Sequence, residues 1–282
     1  MLIPRYWARA EGTASPPGRK KPYRLRSWGC SPLSTEQAQA DAKARLESWI
    51  RRLEAGQEPG GHYAYGRSVL REALLHELPG PGDEPLAIVT RNRYGCLVLN
   101  AAQTLFLDVD LPPDTLLGRV WSLLRGRTAS LEQQVLARVR AALAGARDAS
   151  FRLYRTAAGF RVIGTDRPWG PADPATVSLM TQAGTDRAFV TLCRVQDCFR
   201  ARLSPKPWRI GQPTPVIDFP FPTPQAEASA TEWQARYETA ASGYATCRFL
   251  EAYGPGDVHV EVEPVLTFHD VATRADSGLP LA

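Results

Sequence analysis

An apolar strand that ends in two acids constrains this chain more than any other segment. The residues LFLDVD, from Leu105 to Asp110, place Asp108 and Asp110 two positions apart within a run of apolar side chains. Because side chains alternate between the two faces of a strand, both carboxylates lie on one face. A strand this apolar is expected to be buried, where two adjacent negative charges repel each other and need a compensating cation.

A divalent metal is the compensating cation that this pair of acids favours. Mg²⁺ is commonly held by one or two carboxylates and by substrate phosphates, and a pair of such ions binds the attacking and leaving oxygens of a phosphoryl transfer. The pattern therefore predicts that Asp108 and Asp110 bind Mg²⁺ or Mn²⁺. One alternative stays open, in which Asp108 faces solvent on an edge strand and Asp110 only begins the turn at Leu-Pro-Pro.

The composition is that of a globular chain. Of the 282 residues, 44% are hydrophobic and 22% are charged, which excludes disorder except in local segments. No stretch has the roughly 18 apolar residues of a transmembrane helix, so no membrane partner is expected. Arg5, Arg9 and Glu11 interrupt the N-terminus where a signal peptide needs an apolar run, which predicts a cytoplasmic protein. The five cysteines are odd in number and form no CxxC pair, which argues against a disulfide framework and a zinc knuckle.

The positive charge is carried almost entirely by arginine. The formal net charge is +5, and the 34 cationic residues include only four lysines, Lys20, Lys21, Lys43 and Lys206. Two interpretations stay open. The arginines reflect either a GC-rich genome or phosphate chemistry, because a guanidinium group binds phosphate through paired hydrogen bonds.

Residues 1–85 are predicted to form a mainly helical N-terminal region. Residues 11–22 combine small residues, prolines and a basic triplet, so little fixed structure is expected there. Ser34 and Gln37 form a capping box ahead of a long amphipathic helix. A second amphipathic helix is predicted over residues 68–78, and the Pro-Gly-Pro-Gly segment that follows stops it.

Residues 86–282 are predicted to form a catalytic domain in which strands and helices interleave. Short apolar runs up to Asp110 indicate strands, a capping box precedes the helix LEQQVLARVRAALAG, and FRLYRTA pairs with GFRVIGT as a hairpin. A helix is predicted over residues 233–250 and a final strand over residues 258–268. This mixture predicts an α/β (α+β) fold.

Two basic segments follow the acids along the chain. The first, FRLYRTAAGFRVI, carries Arg155, Thr156, Gly159 and Arg161 around a turn of small residues. Such a turn lets backbone N–H groups and guanidiniums approach an anion. An ordinary hairpin with exposed arginines is the alternative.

The second basic segment, CFRARLSPKPWRIG, places four cations close together with few acids. Arg200 and Arg202 fall on one face of a strand, and Lys206 and Arg209 follow in a proline-bounded loop. The segment predicts a phosphate or nucleic-acid track, with Arg200 and Arg209 on the nucleic acid.

The order of these motifs resembles the archaeo-eukaryotic primase superfamily, the catalytic module of primases, primase-polymerases and the polymerase domain of bacterial end-joining ligases. Asp108 and Asp110 resemble the family's metal-binding D-x-D motif. The segment RTAAGFR resembles its small-x-His triphosphate motif at Thr156 and Gly159, with Arg161 in the position of the histidine. An arginine there can still bind a triphosphate. The resemblance covers roughly residues 86–210.

The resemblance implies an RNA-recognition-motif-like sheet and a metal-dependent nucleotidyltransferase that acts on nucleic acid with nucleoside triphosphates. Asp108 and Asp110 would hold Mg²⁺ or Mn²⁺. The residues implied to neutralise the triphosphate are cationic, namely Arg155, Arg161, Arg202 and Lys206.

The family's metal site also includes a third acid, for which the sequence offers three candidates. Asp186 is the first choice, Asp270 is preceded by His269, and Asp218 is the weakest of the three. Two rival functions remain open as well. One is a metal-dependent nuclease that uses the same acids, and the other is a non-catalytic nucleic-acid-binding derivative of the fold, which the missing histidine favours.

Overall fold

The computed structural model describes residues 1, 3–19, 21–57, 71–112, 130–215 and 217–282. Within these residues the chain forms three antiparallel sheets and six α-helices, which confirms the predicted mixture of helices and strands. The primase-type core stays a prediction. Among the described helices, none combines the length and the apolar character that crossing a membrane requires.

The N-terminal residues form a hairpin backed by one helix. Strands β1 (Tyr6–Ala14) and β2 (Tyr23–Ser31) pair antiparallel, and helix α1 (Thr35–Glu54) packs across them. Helix α1 begins where predicted, because the Ser34 hydroxyl accepts a hydrogen bond from the Gln37 backbone N–H at 3.2 Å.

Small residues allow the hairpin to lie close to helix α1. A Cβ atom on Gly29 would lie 2.1 Å from the backbone nitrogen of Ala42. Ala10, Ala42 and Leu46 form a small core of their own between the hairpin and the helix. The prediction of little structure over residues 11–22 is wrong at its start, because strand β1 continues through Ala14 against this support.

The second sheet contains β3 (Ala73–Leu78), β4 (Ala87–Arg91), β5 (Leu97–Ala101) and β9 (Phe199–Arg202), in the order β3-β4-β5-β9. The helix predicted over residues 68–78 is wrong where this segment is described, because β3 pairs with β4 instead. Hydrogen bonds and packing along a sheet outweigh the helical preference of a short Leu- and Glu-containing run.

The described part of residues 1–85 therefore contains three strands and one helix, so the prediction of a mainly helical region is wrong for these residues. Strand β3 precedes the domain boundary predicted at residue 86, and β4 follows it. The boundary itself stays a prediction.

The third sheet contains β6 (Phe106–Asp110), β7 (Phe151–Thr156), β8 (Gly159–Gly164) and β10 (Cys247–Tyr253), in the order β10-β7-β8-β6. The predicted hairpin is confirmed as β7 and β8. In the pairing of β6 with β8, Asp108 lies opposite Arg161 and Asp110 lies opposite Gly159. Asp108, Asp110 and Arg161 therefore lie on one face of this sheet.

Five more α-helices cover the sheets, and a short 3₁₀-helix follows β9 at Pro207–Ile210. The α-helices are α2 (Leu131–Gly145), α3 (Pro174–Ala183), α4 (Arg187–Gln196), α5 (Pro224–Ala241) and α6 (Glu263–Thr273). Helix α2 begins with the capping box formed by Ser130 and Gln133.

Two predicted elements in the C-terminal part are wrong. The helix predicted over residues 233–250 ends at Ala241, because the following apolar run pairs with β7 as β10. The final strand predicted over residues 258–268 gives way to helix α6, where Pro264 occupies a first-turn position that suits proline.

The two four-stranded sheets share one hydrophobic core. Leu99 and Phe199 from the second sheet pack in the same buried cluster as Phe106 and Phe160 from the third. Strands β6 and β9 contact each other where the two sheets meet. This junction places the end of β6, with its two acids, beside the basic end of β9.

Candidate functional site

A cleft of about 370 Å³ opens at the junction of β6 and β9. It brings together residues that are far apart in the sequence and that the sequence analysis had selected. Its acidic side is formed by Asp108, Asp110 and Asp186. Its basic side is formed by Arg161, Arg202, Lys206 and Arg209, with Thr156 at the hairpin turn.

Asp108 is neutralised by a buried arginine. Arg161 has a side chain that is 1% exposed, and its Nε and Nη2 donate to the two Asp108 carboxylate oxygens at 2.7 and 3.1 Å. Burial is the largest single influence on Arg161 and lowers its pKa, but the charge and hydrogen bonds of Asp108, together with Cys247 and Tyr154, outweigh burial, so the pKa of Arg161 is raised. Arg161 is thus a cation of the protein itself that neutralises Asp108.

Arg161 is in turn held from the opposite side by His269 of helix α6. Its Nη1 donates to the backbone carbonyl of Arg202 at 2.9 Å and lies 3.2 Å from His269 Nε2. Because Arg161 can only donate, His269 Nε2 is the acceptor, and its protonated Nδ1 donates to Asp270 at 2.9 Å. Burial lowers the pKa of His269 to about 4, so the ring is neutral at neutral pH.

Asp110 differs from Asp108 in having no such partner. Its side chain is exposed, and within the described residues it forms no hydrogen bond or ion pair. The charges of Lys206 and Arg209 lie close enough for electrostatic interaction with this carboxylate. Asp110 is therefore an accessible carboxylate at the mouth of the cleft.

Three cations on the basic side of the cleft, Arg202, Lys206 and Arg209, form no ion pair with an acid in the described part of the chain. Burial and then the neighbouring Arg202 lower the pKa of both Lys206 and Arg209. Arg202 Nε and Arg209 Nη1 are buried without a hydrogen-bond partner among the described residues. Like charges gathered on one side of a cleft favour the approach of an anion.

The loop that carries these cations is fixed to the body of the protein. The Tyr237 hydroxyl donates to the Pro205 carbonyl at 2.6 Å, and the Ser204 hydroxyl accepts from the Leu97 backbone N–H at 2.9 Å. Pro207 then begins the 3₁₀-helix. The positions of Lys206 and Arg209 are thereby set before any ligand arrives.

Two of the predicted site residues lie away from the cleft. Arg155 is on the other face of the hairpin, where it donates to Glu132 of helix α2 at 2.7 Å. Arg200 is buried and donates to both carboxylate oxygens of Glu72, at 2.7 and 2.8 Å. Its guanidinium is therefore not free for the nucleic-acid contact predicted for it, because Glu72 satisfies it inside the protein.

Gly159 supports the site through close packing. A Cβ atom at this position would lie 2.0 Å from the backbone carbonyl oxygen of Val109. Only glycine therefore lets β8 approach β6 next to the acid pair. This is a positioning role, whereas the sequence analysis predicted a contact with the nucleotide.

Of the three candidate third acids, Asp186 is the one that lines the cleft. One of its oxygens caps helix α4 by accepting from the Ala188 backbone N–H at 2.5 Å. Asp270 instead pairs with Arg152 at 3.1 Å, and Asp218 pairs with Arg71 at 3.1 Å. The role of Asp186 as a third metal-binding acid stays a prediction, because lining the cleft does not bring it into a cluster of three acids with Asp108 and Asp110.

Three residues that contribute to the site were not predicted from the sequence, namely Phe189, Leu192 and His269. Phe189 and Leu192 of helix α4 form an apolar wall of the cleft. Their spacing of three residues is the signal of a shared helical face. His269 does not line the cleft but holds Arg161, which does. Nothing in the sequence links these two positions.

The described residues contain no group of three or more His, Cys, Asp or Glu side chains that could hold a metal ion. Asp108 and Asp110 are the two residues at the cleft that could share one, in the manner of Mg²⁺ sites completed by substrate phosphates. Arg161 engages each oxygen of Asp108 once, which leaves lone pairs on both.

No protein-family model, curated protein or solved structure matches this chain. Any function must therefore be argued from the cleft itself.

Proposed function

We propose that the protein is a metal-dependent nucleotidyltransferase of the primase or polymerase type, which acts on nucleic acid with nucleoside triphosphates. The cleft would bind a triphosphate together with Mg²⁺ or Mn²⁺. A nucleic-acid strand would supply the attacking hydroxyl.

One observation carries this proposal, namely that the same cleft is lined by a carboxylate and by cations that form no close ion pair with each other or with another described residue. Among the described residues Asp110 forms no ion pair or hydrogen bond through its side chain, and Arg202, Lys206 and Arg209 form no ion pair with an acid, although Lys206 and Arg209 lie close enough to Asp110 to interact with its charge. A metal-bound triphosphate is complementary to both sides, because its cation binds carboxylates and its phosphates bind guanidinium and ammonium groups.

Each residue has a distinct part in the proposed reaction. Lys206, Arg202 and Arg209 bind the triphosphate and stabilise the charge that develops on the leaving pyrophosphate. Asp108 and Asp110 would hold the divalent cation, while Arg161 fixes the orientation of Asp108. When bound, such a cation lowers the pKa of an attacking hydroxyl and polarises the phosphate.

The five cysteines support a reducing compartment, which we propose is the cytoplasm. All are free, and Cys96, Cys193, Cys198 and Cys247 are buried. Unpaired cysteines are typical of proteins that stay in a reducing environment.

A primer-extension assay tests the proposal. The purified protein, a labelled primer-template and nucleoside triphosphates are incubated with Mn²⁺ or with EDTA, and the products are separated on a denaturing gel. Metal-dependent lengthening of the primer supports nucleotidyl transfer, and metal-dependent shortening would instead identify a nuclease. Asp110→Asn should abolish lengthening, whereas Asp257→Asn, which changes an exposed acid away from the cleft, should not.

A second candidate function is a non-catalytic nucleic-acid-binding derivative of the fold. It is favoured by the buried Arg161, which already neutralises the acid that a metal would otherwise share. In that case nucleic acid would bind with a strong salt dependence and without any requirement for metal.

A further inference from the structure

The hairpin of β1 and β2 has two faces of different character. Helix α1 covers the face that carries Ala8, Ala10 and Gly12. Because side chains alternate, Arg9, Glu11 and Thr13 of β1 lie on the opposite face. Helix α1 is therefore absent from the face that carries the charges.

The open face is strongly basic. The register of the hairpin places Glu11 opposite Arg26 and Thr13 opposite Arg24, with Arg9 next along β1. Arg9 and Arg26 share the single carboxylate of Glu11, at 3.2 and 3.4 Å, and Arg24 forms no ion pair with a described residue. The side chain of Arg26 is 71% exposed, so these pairs are weak and leave a net positive surface.

The turn of the hairpin carries two further cations next to this face. Arg19 and Lys21 lie in the turn, and the guanidinium carbon of Arg19 lies 4.0 Å from the centre of the exposed Tyr23 ring. At the other end, Arg71 stacks on Trp28 and limits the open surface to the half nearer the turn. From the Glu11–Arg26 row to the turn, this face has no large apolar side chain on either strand, and Arg9 lies at its border, opposite Trp28.

We infer that this basic face of the hairpin, formed by Arg9, Arg24 and Arg26, is a second nucleic-acid-binding surface that contacts the phosphodiester backbone. A two-stranded ribbon with regularly spaced arginines is a known way to bind the groove or backbone of nucleic acid. Trp28, which lies opposite Arg9, is partly buried beneath Arg71, and the rows nearer the turn carry no large apolar side chain. This argues against a membrane surface, which an interfacial element binds through apolar anchors. The inference rests on the proposed function, because the bound strand is the one that the cleft would extend.

Fluorescence anisotropy with a labelled oligonucleotide tests this inference without any nucleoside triphosphate or metal. The triple variant Arg9→Gln, Arg24→Gln, Arg26→Gln should weaken binding by about tenfold or more and reduce the slope of log K against log salt by about two to three. The matched control removes the same charge from the exposed side of helix α1, as Lys43→Gln, Arg51→Gln, Arg52→Gln, and should change affinity less than about twofold. Single-stranded DNA, duplex DNA and RNA arms identify which backbone is preferred.

A second variant guards against an effect of misfolding. Glu11→Gln removes the one acid on this face and should strengthen binding. Equal binding by the triple variant and its control would overturn the inference, as would failure of the parent to bind any oligonucleotide, or preferential binding to vesicles of anionic lipid. If binding depends on the hairpin but primers are never extended, the proposed function fails while this inference stands.

Discussion

Arg161 donates one hydrogen bond to each carboxylate oxygen of Asp108, from a position that is itself fully buried. The pair joins neighbouring strands β6 and β8, and His269 holds the guanidinium from behind. Asp108 is therefore both a stabilising partner and a site residue, whereas Asp110 has no such structural duty among the described residues. Variants of Asp110 consequently report on the cleft more cleanly than variants of Asp108, whose replacement by alanine would leave Arg161 buried and unpaired.

Replacing Arg161 should destabilise the protein. In Arg161→Met, Asp108 loses its partner, and the acceptors on His269 and Arg202 lose their donor. We expect the free energy of unfolding to fall by about 3 kcal/mol, as is usual when one partner of a buried ion pair is removed. Urea unfolding followed by tryptophan fluorescence measures this. Arg155→Met is the control, since its pair with Glu132 is partly exposed and should contribute about 1 kcal/mol or less. Equal losses in the two variants would contradict this account of Arg161.

Removing cationic charge from the basic side of the cleft should weaken triphosphate binding without harming the fold. In Lys206→Gln and in Arg209→Gln, one of several mutually repelling cations is lost, so the free energy of unfolding should stay within about 0.5 kcal/mol of the parent. Affinity for a non-hydrolysable nucleoside triphosphate should fall by about tenfold in each, measured by isothermal titration calorimetry. Lys43→Gln, on helix α1, should leave that affinity unchanged. A variant that unfolds more easily yet binds the triphosphate as tightly as the parent would argue against an anion site here.

Stability should fall as the pH is lowered through the range set by His269. The unfolded ring takes up a proton near pH 6.5, but the pKa of the buried ring is lowered to about 4. Between these pH values the unfolded chain binds the proton more readily than the folded chain does. The contribution of the neutral, buried His269 ring to the free energy of unfolding is therefore fully present above pH 6.5 and is lost as the pH falls towards 4. The loss should be on the order of 2 to 3 kcal/mol. Urea unfolding at a series of pH values should give a shallower dependence in His269→Gln, and an unchanged dependence would refute the assignment.

The hairpin should depend on the close contact at Gly29. A methyl group in Gly29→Ala would press against the backbone of Ala42, and we expect a loss of about 1 to 3 kcal/mol in the free energy of unfolding. Gly145→Ala is the matched control, because a Cβ atom at the end of helix α2 meets nothing within 4 Å. Thermal unfolding of both variants compares them. A stable Gly29→Ala protein would mean that the hairpin lies farther from helix α1 than described.

Local signals in the sequence predicted much of the central fold. Capping residues marked the starts of helices α1 and α2, and apolar runs marked β4, β5 and β6. The failures have a common cause, since β3 and β10 are strands only because neighbouring strands pair with them. Short runs such as ALLHEL have no periodicity that separates a strand from a helix.

The sequence allowed several residues of the candidate site to be selected, but it did not allow their hydrogen-bond and ion-pair partners to be predicted. Asp108, Asp110 and Lys206 could be selected because acids after a strand and cations in a rigid loop are locally unusual. Arg200 and Arg202 share a strand face, but only Arg202 lines the cleft. Arg200 is instead paired with Glu72, which lies beside it and not beside Arg202. Contacts of this kind are made by distant parts of the chain, so no local pattern reveals them.

Manganese binding measured by electron paramagnetic resonance tests the central claim most directly, because the signal of free Mn²⁺ is lost when the ion binds. In the presence of a non-hydrolysable nucleoside triphosphate, the account predicts that the parent protein binds more Mn²⁺ than the triphosphate binds by itself. Asp110→Asn should show no such additional binding, and Asp257→Asn should behave like the parent. Equal uptake by the Asp110 variant and the parent, or no uptake by the parent, would contradict it.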